Sequence, residues 1–258
     1  MYSFALRPKW IAGHVLAITA VVVFVLAGFW QLRRLDERRD LNAEIEAVAD
    51  LEPVPLAAAE VEGTAVAWRL VVVDGTWLND DEVLVRNRTL DGQPGFHIVT
   101  PLLLDDGRAI VVNRGWVPVG AVDDGRLVDA AAVAPGGEVT VLGRLRETER
   151  ARGLASADPA DGELDVVSRI DVGRLDQQIA APLVALSAEL VDDDLAFDAL
   201  PQPVDEPELS EGPHLSYAGQ WFIFTAVVLI GYPLVLRWAA RTDDDEIDPD
   251  ELPEPVAG

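Results

Sequence analysis

A chain of 258 residues with 45 acidic and 20 basic side chains carries a formal charge of −25, a balance that argues against nucleic acid or an anionic lipid surface as its natural partner. The absence of cysteine excludes disulfides, thiolate metal sites and cysteine catalysis. Only three histidines are present, His14, His97 and His214, and they are where a cofactor hypothesis can attach.

The first element follows a short basic leader, residues 1–9, containing Arg7 and Lys9. From Trp10 to Trp30 no Asp, Glu, Lys or Arg occurs, and a run of about 20 apolar residues is the length of a membrane-crossing helix. A cleaved secretory signal would need small residues at the end of the run. The chain instead reads Trp30-Gln31-Leu32-Arg33-Arg34, so the helix is expected to be retained. Beyond it, Leu32, Leu35, Leu41, Ile45 and Val48 recur at helical spacing, which predicts an amphipathic arm over residues 31–51, stopped by Glu52-Pro53-Val54-Pro55.

Residues 52–190 read as a mainly β domain. Strands are expected at Ala67 to Val73, Glu82 to Arg88, His97 to Leu104, Ala109 to Asn113, Glu138 to Arg146 and Leu164 to Ile170. Asp105-Asp106-Gly107-Arg108 supplies a hairpin turn between the third and fourth. Asp171 is placed to cap a short helix reaching Ala180, and Leu183 to Leu190 returns as the last strand. Val119 to Gly137 and Gly153 to Gly162 read as surface loops. About seven strands and one short helix predict a small antiparallel barrel or sandwich.

An acidic, proline-rich linker over residues 191–213 leads to a second apolar run, Tyr217 to Leu236, within a predicted membrane helix over residues 214–238. The tail, residues 239–258, carries Asp243-Asp244-Asp245-Glu246 and no periodic apolar face, and is expected to be disordered. Because lipid leaves backbone groups without partners, both apolar runs should be helical, and everything between them should lie on one side of the bilayer. The flanking charges conflict. Arg33, Arg34, Arg38 and Arg39 after the first helix favour a cytoplasmic domain, whereas Arg237 and Arg241 after the second favour cytoplasmic termini. A long acidic domain is translocated largely regardless of such flanks, so the expected topology has both termini in the cytoplasm and the β domain outside.

No enzyme constellation emerges. No serine sits on a nucleophile turn, no glycine-rich phosphate loop is present, and the carboxylates are too many for any pair to stand out. His214, just before the second helix, stands where an imidazole could ligate a haem iron lying at the membrane surface, or simply cap the helix start. His14 lies one turn inside the first helix and reads as snorkelling, and His97 reads as a packed sheet residue. Arg34 after Trp30-Gln31 is either an interfacial anchor or a planar fork for a haem propionate or partner carboxylate. In Asn113-Arg114-Gly115-Trp116-Val117-Pro118, Gly115 and Pro118 read as a strand-to-loop corner over the Trp116 ring. Arg114 beside that corner is expected to be paired or offered to a ligand.

Taken in order, Gly28-Phe29-Trp30-Gln31 with Arg34, Trp68-Arg69, Val73-Asp74-Gly75, Gly95-Phe96-His97-Ile98-Val99-Thr100-Pro101-Leu102, Val112-Asn113-Arg114-Gly115-Trp116-Val117-Pro118 and His214-Leu215-Ser216-Tyr217-Ala218-Gly219-Gln220-Trp221-Phe222 resemble the Surfeit locus protein 1 family of cytochrome c oxidase assembly factors. The resemblance implies a non-enzymatic protein whose two membrane helices hold an external domain and which assists insertion of haem a into oxidase subunit I alongside the haem a synthesis machinery. The leader is not an arginine-rich, acid-poor presequence, so a bacterial plasma membrane is expected rather than an organelle. The resemblance also implies that His214 contacts the haem. Tyr217, Trp221, Trp30, Gln31, Arg34 and Arg114 are the further cofactor-binding candidates read from the residues. Two departures stand out: Gly212 replaces an asparagine common in the family two residues before the histidine, and Arg38 replaces a lysine. Two other classes fit the same layout, a structural scaffold for oxidase subunits that never touches haem and a membrane-anchored sensor with an extracytoplasmic ligand-binding barrel. A haem spectrum separates the first reading from the scaffold, and oxidase content in a deletion strain separates both from the sensor.

Overall fold

The computed structural model describes residues 3–128, 133–151, 157–191 and 200–244. The chain divides into two compact units, one formed by the residues up to Asn42 together with those from Leu209, the other by Ala43–Glu208.

The first unit is a pair of long helices. Helix α1 runs Pro8–Ala49 without interruption, so the apolar run and the arm are one helix. In the arm, burial recurs at Leu35, Asn42 and Ile45, with Arg38 and Val48 partly covered between and beyond them, the spacing of one helical face. Helix α4 runs His214–Asp244, six residues past the end expected at 238. The remainder of the expected tail, 245–258, lies outside the described residues. Both helices are long and apolar enough to cross a membrane, and only 6% of the most apolar window of each is buried. A core helix of a soluble domain would hide those side chains.

The second unit is built on a closed five-strand barrel. Strands β2 (Leu70–Trp77), β8 (Glu138–Arg146), β10 (Leu183–Leu190), β5 (Ala109–Pro118) and β4 (Gln93–Leu103) pair in that order, and β2 closes on β4 through Thr76↔Leu103 and Trp77↔Leu102. The expected barrel is therefore present, and the sandwich is not. One seam departs from the antiparallel expectation: β10 pairs with β5 in parallel, because the chain between them crosses the barrel through β8 and returns from the far end. Strand β3 (Val83–Leu90) lies outside the ring on β4, and the two-residue strands β1 (Val54–Pro55) and β9 (Val166–Val167) add parallel edges to β2 and β3. The segment after β5 carries a small ribbon, β6 (Val122–Asp123) with β7 (Arg126–Leu127), where only a surface loop was expected.

Strand β5 shows why its sequence is a continuous apolar run. Ile110 and Val112 face the barrel interior with Val71, Leu102 and Leu145, while Val111 faces a second cluster with Val85, Val99 and Leu175. A strand covered on both faces needs no polar alternation. Two short helices seal the barrel unit instead of the one expected. Helix α2 (Leu56–Glu62) buries Leu56 and Ala59 in the first cluster, and α3 (Val172–Leu175) begins at Asp171, whose carboxylate accepts from Arg174 N as the capping reading requires.

Two strand boundaries differ from expectation for identifiable reasons. The strand expected from Ala67 begins at Leu70, because Trp68 has φ 71°, a left-handed conformation incompatible with a strand. Arg69 is buried and donates to Leu51 O at 2.9 Å and Glu52 O at 2.5 Å, holding the chain that leaves α1. Strand β5 does not turn away at Gly115. Val99 pairs with Asn113 and Ile98 with Gly115, so Arg114 is the extra residue of a β-bulge and pairing continues to Pro118. Gly115 has φ 127°, and a Cβ there would collide with Gln202 O, which accepts the Trp116 N–H.

Candidate functional site

Within the helix-pair unit, the stretch before α4 is laced to α1 by four side-chain interactions. Asn42 Nδ2 donates to Leu209 O at 2.6 Å, Arg38 Nε donates to Ser210 O at 2.9 Å, the Arg39 fork grips Glu211 at 2.8 and 3.1 Å, and His214 meets Gln31. The Arg39 guanidinium holds the Glu211 carboxyl below the usual carboxylate range. Further along the pair, Gly28 is buried against Phe222, whose ring leaves no room for a Cβ, and Trp221 packs on Phe24 with centroids 5.5 Å apart. Glycine is needed there because two helices meet closely.

His214 Nδ1 lies 2.9 Å from Gln31 Oε1. An amide oxygen only accepts, so Nδ1 carries the proton and Nε2 carries the lone pair. Gly212, with φ 67°, sits beside that edge of the ring, where a side chain would come within 3.5 Å of Nε2. The left-handed backbone also explains the departure at this position, since glycine and asparagine are the residues that adopt it most readily. A glycine here keeps the backbone path and leaves the Nε2 edge uncovered.

The other two histidines are set differently. His14 Nε2 lies 3.1 Å from Ala5 O and its Nδ1 2.8 Å from the Tyr232 hydroxyl. A carbonyl must be met by an N–H, so Nε2 is protonated, Nδ1 accepts, and both nitrogens are committed. The pair stands at one end of an apolar groove of about 430 Å³ lined by Ile18, Val21, Leu229 and neighbours. In the barrel unit, His97 Nδ1 faces Asn113 Nδ2 at 3.0 Å, while Asn113 Oδ1 accepts from Gly115 N at 3.1 Å. That fixes the amide, so Nδ1 is the acceptor and Nε2 bears the hydrogen. Burial, with the nearby Arg88 charge, pushes the His97 pKa down to about 4, which keeps the ring neutral. Only His214 therefore presents a tautomer with a free nitrogen lone pair.

The remaining candidates divide between the units. Trp30, Gln31 and Arg34 follow one another on α1, and His214, Tyr217 and Trp221 recur at the spacing of one face of α4. Arg34 pairs with Glu37 at 2.7 Å and lies over the Trp30 ring at 5.7 Å, yet its side chain stays about half exposed, as do Trp30 and Tyr217. Arg114 is in the barrel unit. The bulge turns it inward, where it reaches Glu82 at 3.1 Å, Thr100 Oγ1 at 3.5 Å and the Trp77 ring at 5.7 Å, with only 6% of its side chain exposed. Of the two roles expected for Arg114, the geometry is that of a paired structural arginine. Among the described residues no cluster of three or more His, Asp or Glu side chains could hold a metal ion.

The architecture is that of a small five-strand barrel flanked by two apolar helices long enough to cross a membrane. The chain belongs to the SURF1 family, whose pattern matches residues 18–226. An uncharacterized SURF1-like protein of Mycobacterium tuberculosis is 32% identical over 237 residues, covering 89% of this chain and 84% of the relative. The cytochrome oxidase assembly protein SHY1 of Saccharomyces cerevisiae is 33% identical over 100 residues, 38% of this chain and 25% of the yeast protein. Mouse Surfeit locus protein 1 is 31% identical over 137 residues, 47% of this chain and 44% of the mouse protein.

Proposed function

We propose that this protein is a non-enzymatic assembly factor for haem–copper cytochrome c oxidase, anchored in a bacterial plasma membrane by α1 and α4, that assists delivery of haem a to subunit I. Family membership supports the assembly role, through relatives such as the yeast protein named for it. The exposed apolar surfaces of both helices support insertion in lipid; the orientation with both termini cytoplasmic and the barrel outside rests on the ready translocation of a long acidic domain.

The observation that carries the haem reading is the His214–Gln31 contact. Gln31 accepts from Nδ1, so the lone pair of the neutral ring is on Nε2, turned away from Gln31 and available to a ligand-binding role. Exposed Trp30 and Tyr217 offer aromatic surface for a macrocycle, Trp221 packs on Phe24 between the helices, and Arg34 is a half-exposed fork suited to a propionate. Haem a, when bound, would supply the iron whose open coordination position the imidazole fills. Gln31 orients the ring, the Asn42, Arg38 and Arg39 contacts hold the approach to α4, and haem is received from the haem a synthesis machinery and passed to the oxidase subunit. Arg114 is buried against Glu82 within the barrel unit.

The test is oxidase haem a content in membranes of a deletion strain complemented with variants. Arg34→Ala and Arg34→Lys are both expected to lower it, since lysine keeps the charge but not the planar fork. Full rescue by lysine would reduce Arg34 to an anchor. Normal oxidase haem a content in the uncomplemented deletion strain would overturn the assembly role itself.

A further inference from the structure

A second, polar cavity of about 280 Å³ lies wholly within the barrel unit. Its volume falls just below the range of about 300–1,000 Å³ typical of drug-sized ligands, so its occupant is small. Strands far apart in sequence line it: Arg88 from β3, His97 from β4, Arg146 from the end of β8 and Ser187 from β10. Their hydrogen-bonding is lopsided. Glu149 takes only Nη2 of Arg88, at 3.0 and 2.8 Å, and Glu189 takes only Nη1 of Arg146, at 2.8 and 2.9 Å. Each guanidinium retains further N–H donors.

Two more donors join them. Because Gly115 N–H fixes the Asn113 amide and Asn113 fixes His97 Nδ1 as acceptor, the hydrogen of the neutral ring is on Nε2. Ser187 contributes a hydroxyl from a side chain that is 2% exposed. The Arg146 plane is itself held in place, stacked 3.8 Å from the Trp68 ring centroid. The cavity thus has a surplus of preset donors, while its two arginine charges are already balanced by Glu149 and Glu189, with Glu147 exposed at the rim. A dianion would meet three carboxylates there. A single planar carboxylate matches the fork geometry of the spare arginine donors and brings one charge against the exposed Glu147 rather than two.

We propose that this cavity is a receptor for a small monocarboxylate group, either a free short-chain acid or the chain end of a partner protein. It lies in a different unit from the His214 region and does not depend on haem binding.

Three histidines make the full-length protein in detergent tractable by ¹⁵N-histidine NMR. Propionate is expected to shift the His97 Nε2 signal saturably while His14 and His214 stay still. Propionamide and inorganic phosphate should bind at least tenfold more weakly, and Arg146→Lys, which keeps charge and bulk but loses the fork, should weaken propionate at least fivefold. Ser187→Ala serves as a second variant with minimal effect on folding, expected to weaken binding about threefold. Triglycine competing with propionate would identify a chain end as the source, and propionate without triglycine a free acid. No saturable His97 shift in correctly folded protein, or equal shifts with propionamide, would overturn the proposal.

Discussion

Burial of a neutral His97 makes the barrel unit sensitive to acid, by an amount that can be worked out. The ring's pKa falls from an ordinary 6.5 to about 4, with desolvation the largest cause, Arg88 adding to it and Glu149 opposing it. In the unfolded chain the same ring takes a proton near 6.5. Between those values the unfolded state binds more protons than the folded one, so stability is full above pH 6.5 and is lost as pH falls toward 4. At about 1.36 kcal/mol per unit, the loss is about 3 kcal/mol across the window and about 2.5 kcal/mol by pH 4.5. Carboxylates titrate in the same range, so the perturbation is His97→Gln, which keeps a polar side chain and removes the proton. Urea unfolding of full-length protein in detergent, followed by tryptophan fluorescence at pH 7.5 and 4.5, should show wild type losing about 1 M more in midpoint than the variant between the two conditions, for a slope of about 2–3 kcal/mol per M. Identical losses, or a His97 NMR titration centred near 6.5, would refute the reasoning.

Other outcomes follow from the same geometry. Gly115→Ala forces φ 127° on a residue with a Cβ and drives that atom into Gln202 O, so it should cost about 2–4 kcal/mol and lower the Tm, whereas Gly120→Ala, with open space around it, should not. Arg69→Ala removes two donors from the carbonyls of Leu51 and Glu52, and should cost about 2–3 kcal/mol and speed amide exchange near the end of α1. Arg39→Ala should leave the Tm unchanged, because its pair with Glu211 is half exposed to solvent. In a chain without cysteine, single cysteines at Asp124 and Asp250 report sidedness. An impermeant maleimide applied to intact cells should label the first and spare the second, and the reverse pattern would place the barrel in the cytoplasm.

Legibility in the sequence followed the range of the interactions. Glu138–Arg146 and Leu183–Leu190 came out with the bounds read from their β-branched runs and flanking turns, because both features are local. The start of β2 was misplaced by three residues, since the left-handed Trp68 is imposed by tertiary contacts, including the Arg146 guanidinium stacked on its ring. The continuation of β5 beyond Asn113 depends on a bulge defined by its partner strand, which one strand's sequence does not display. Helix α2 was missed because Pro53 and Pro55 were read as a break, although Leu-Ala-Ala-Ala-Glu after a proline is a good helix start. At the site, the residue types were readable, but the pairing of His214 with Gln31 spans 183 positions and only the fold brings it about. The polar cavity was invisible for the same reason. Its lining residues are scattered from Arg88 to Val204, and each alone reads as an ordinary surface or strand residue.

The central claim, that His214 offers an iron-ligating nitrogen set by Gln31, is tested most directly by the absorbance spectrum of protein purified from cells that make haem a. The account predicts a bound-haem spectrum for wild type that His214→Ala abolishes or strongly shifts and Gln31→Ala weakens, while His14→Ala and His97→Ala leave it nearly unchanged in protein that accumulates normally. A wild-type spectrum from well-folded His214→Ala protein would contradict it and leave the non-haem scaffold as the better reading.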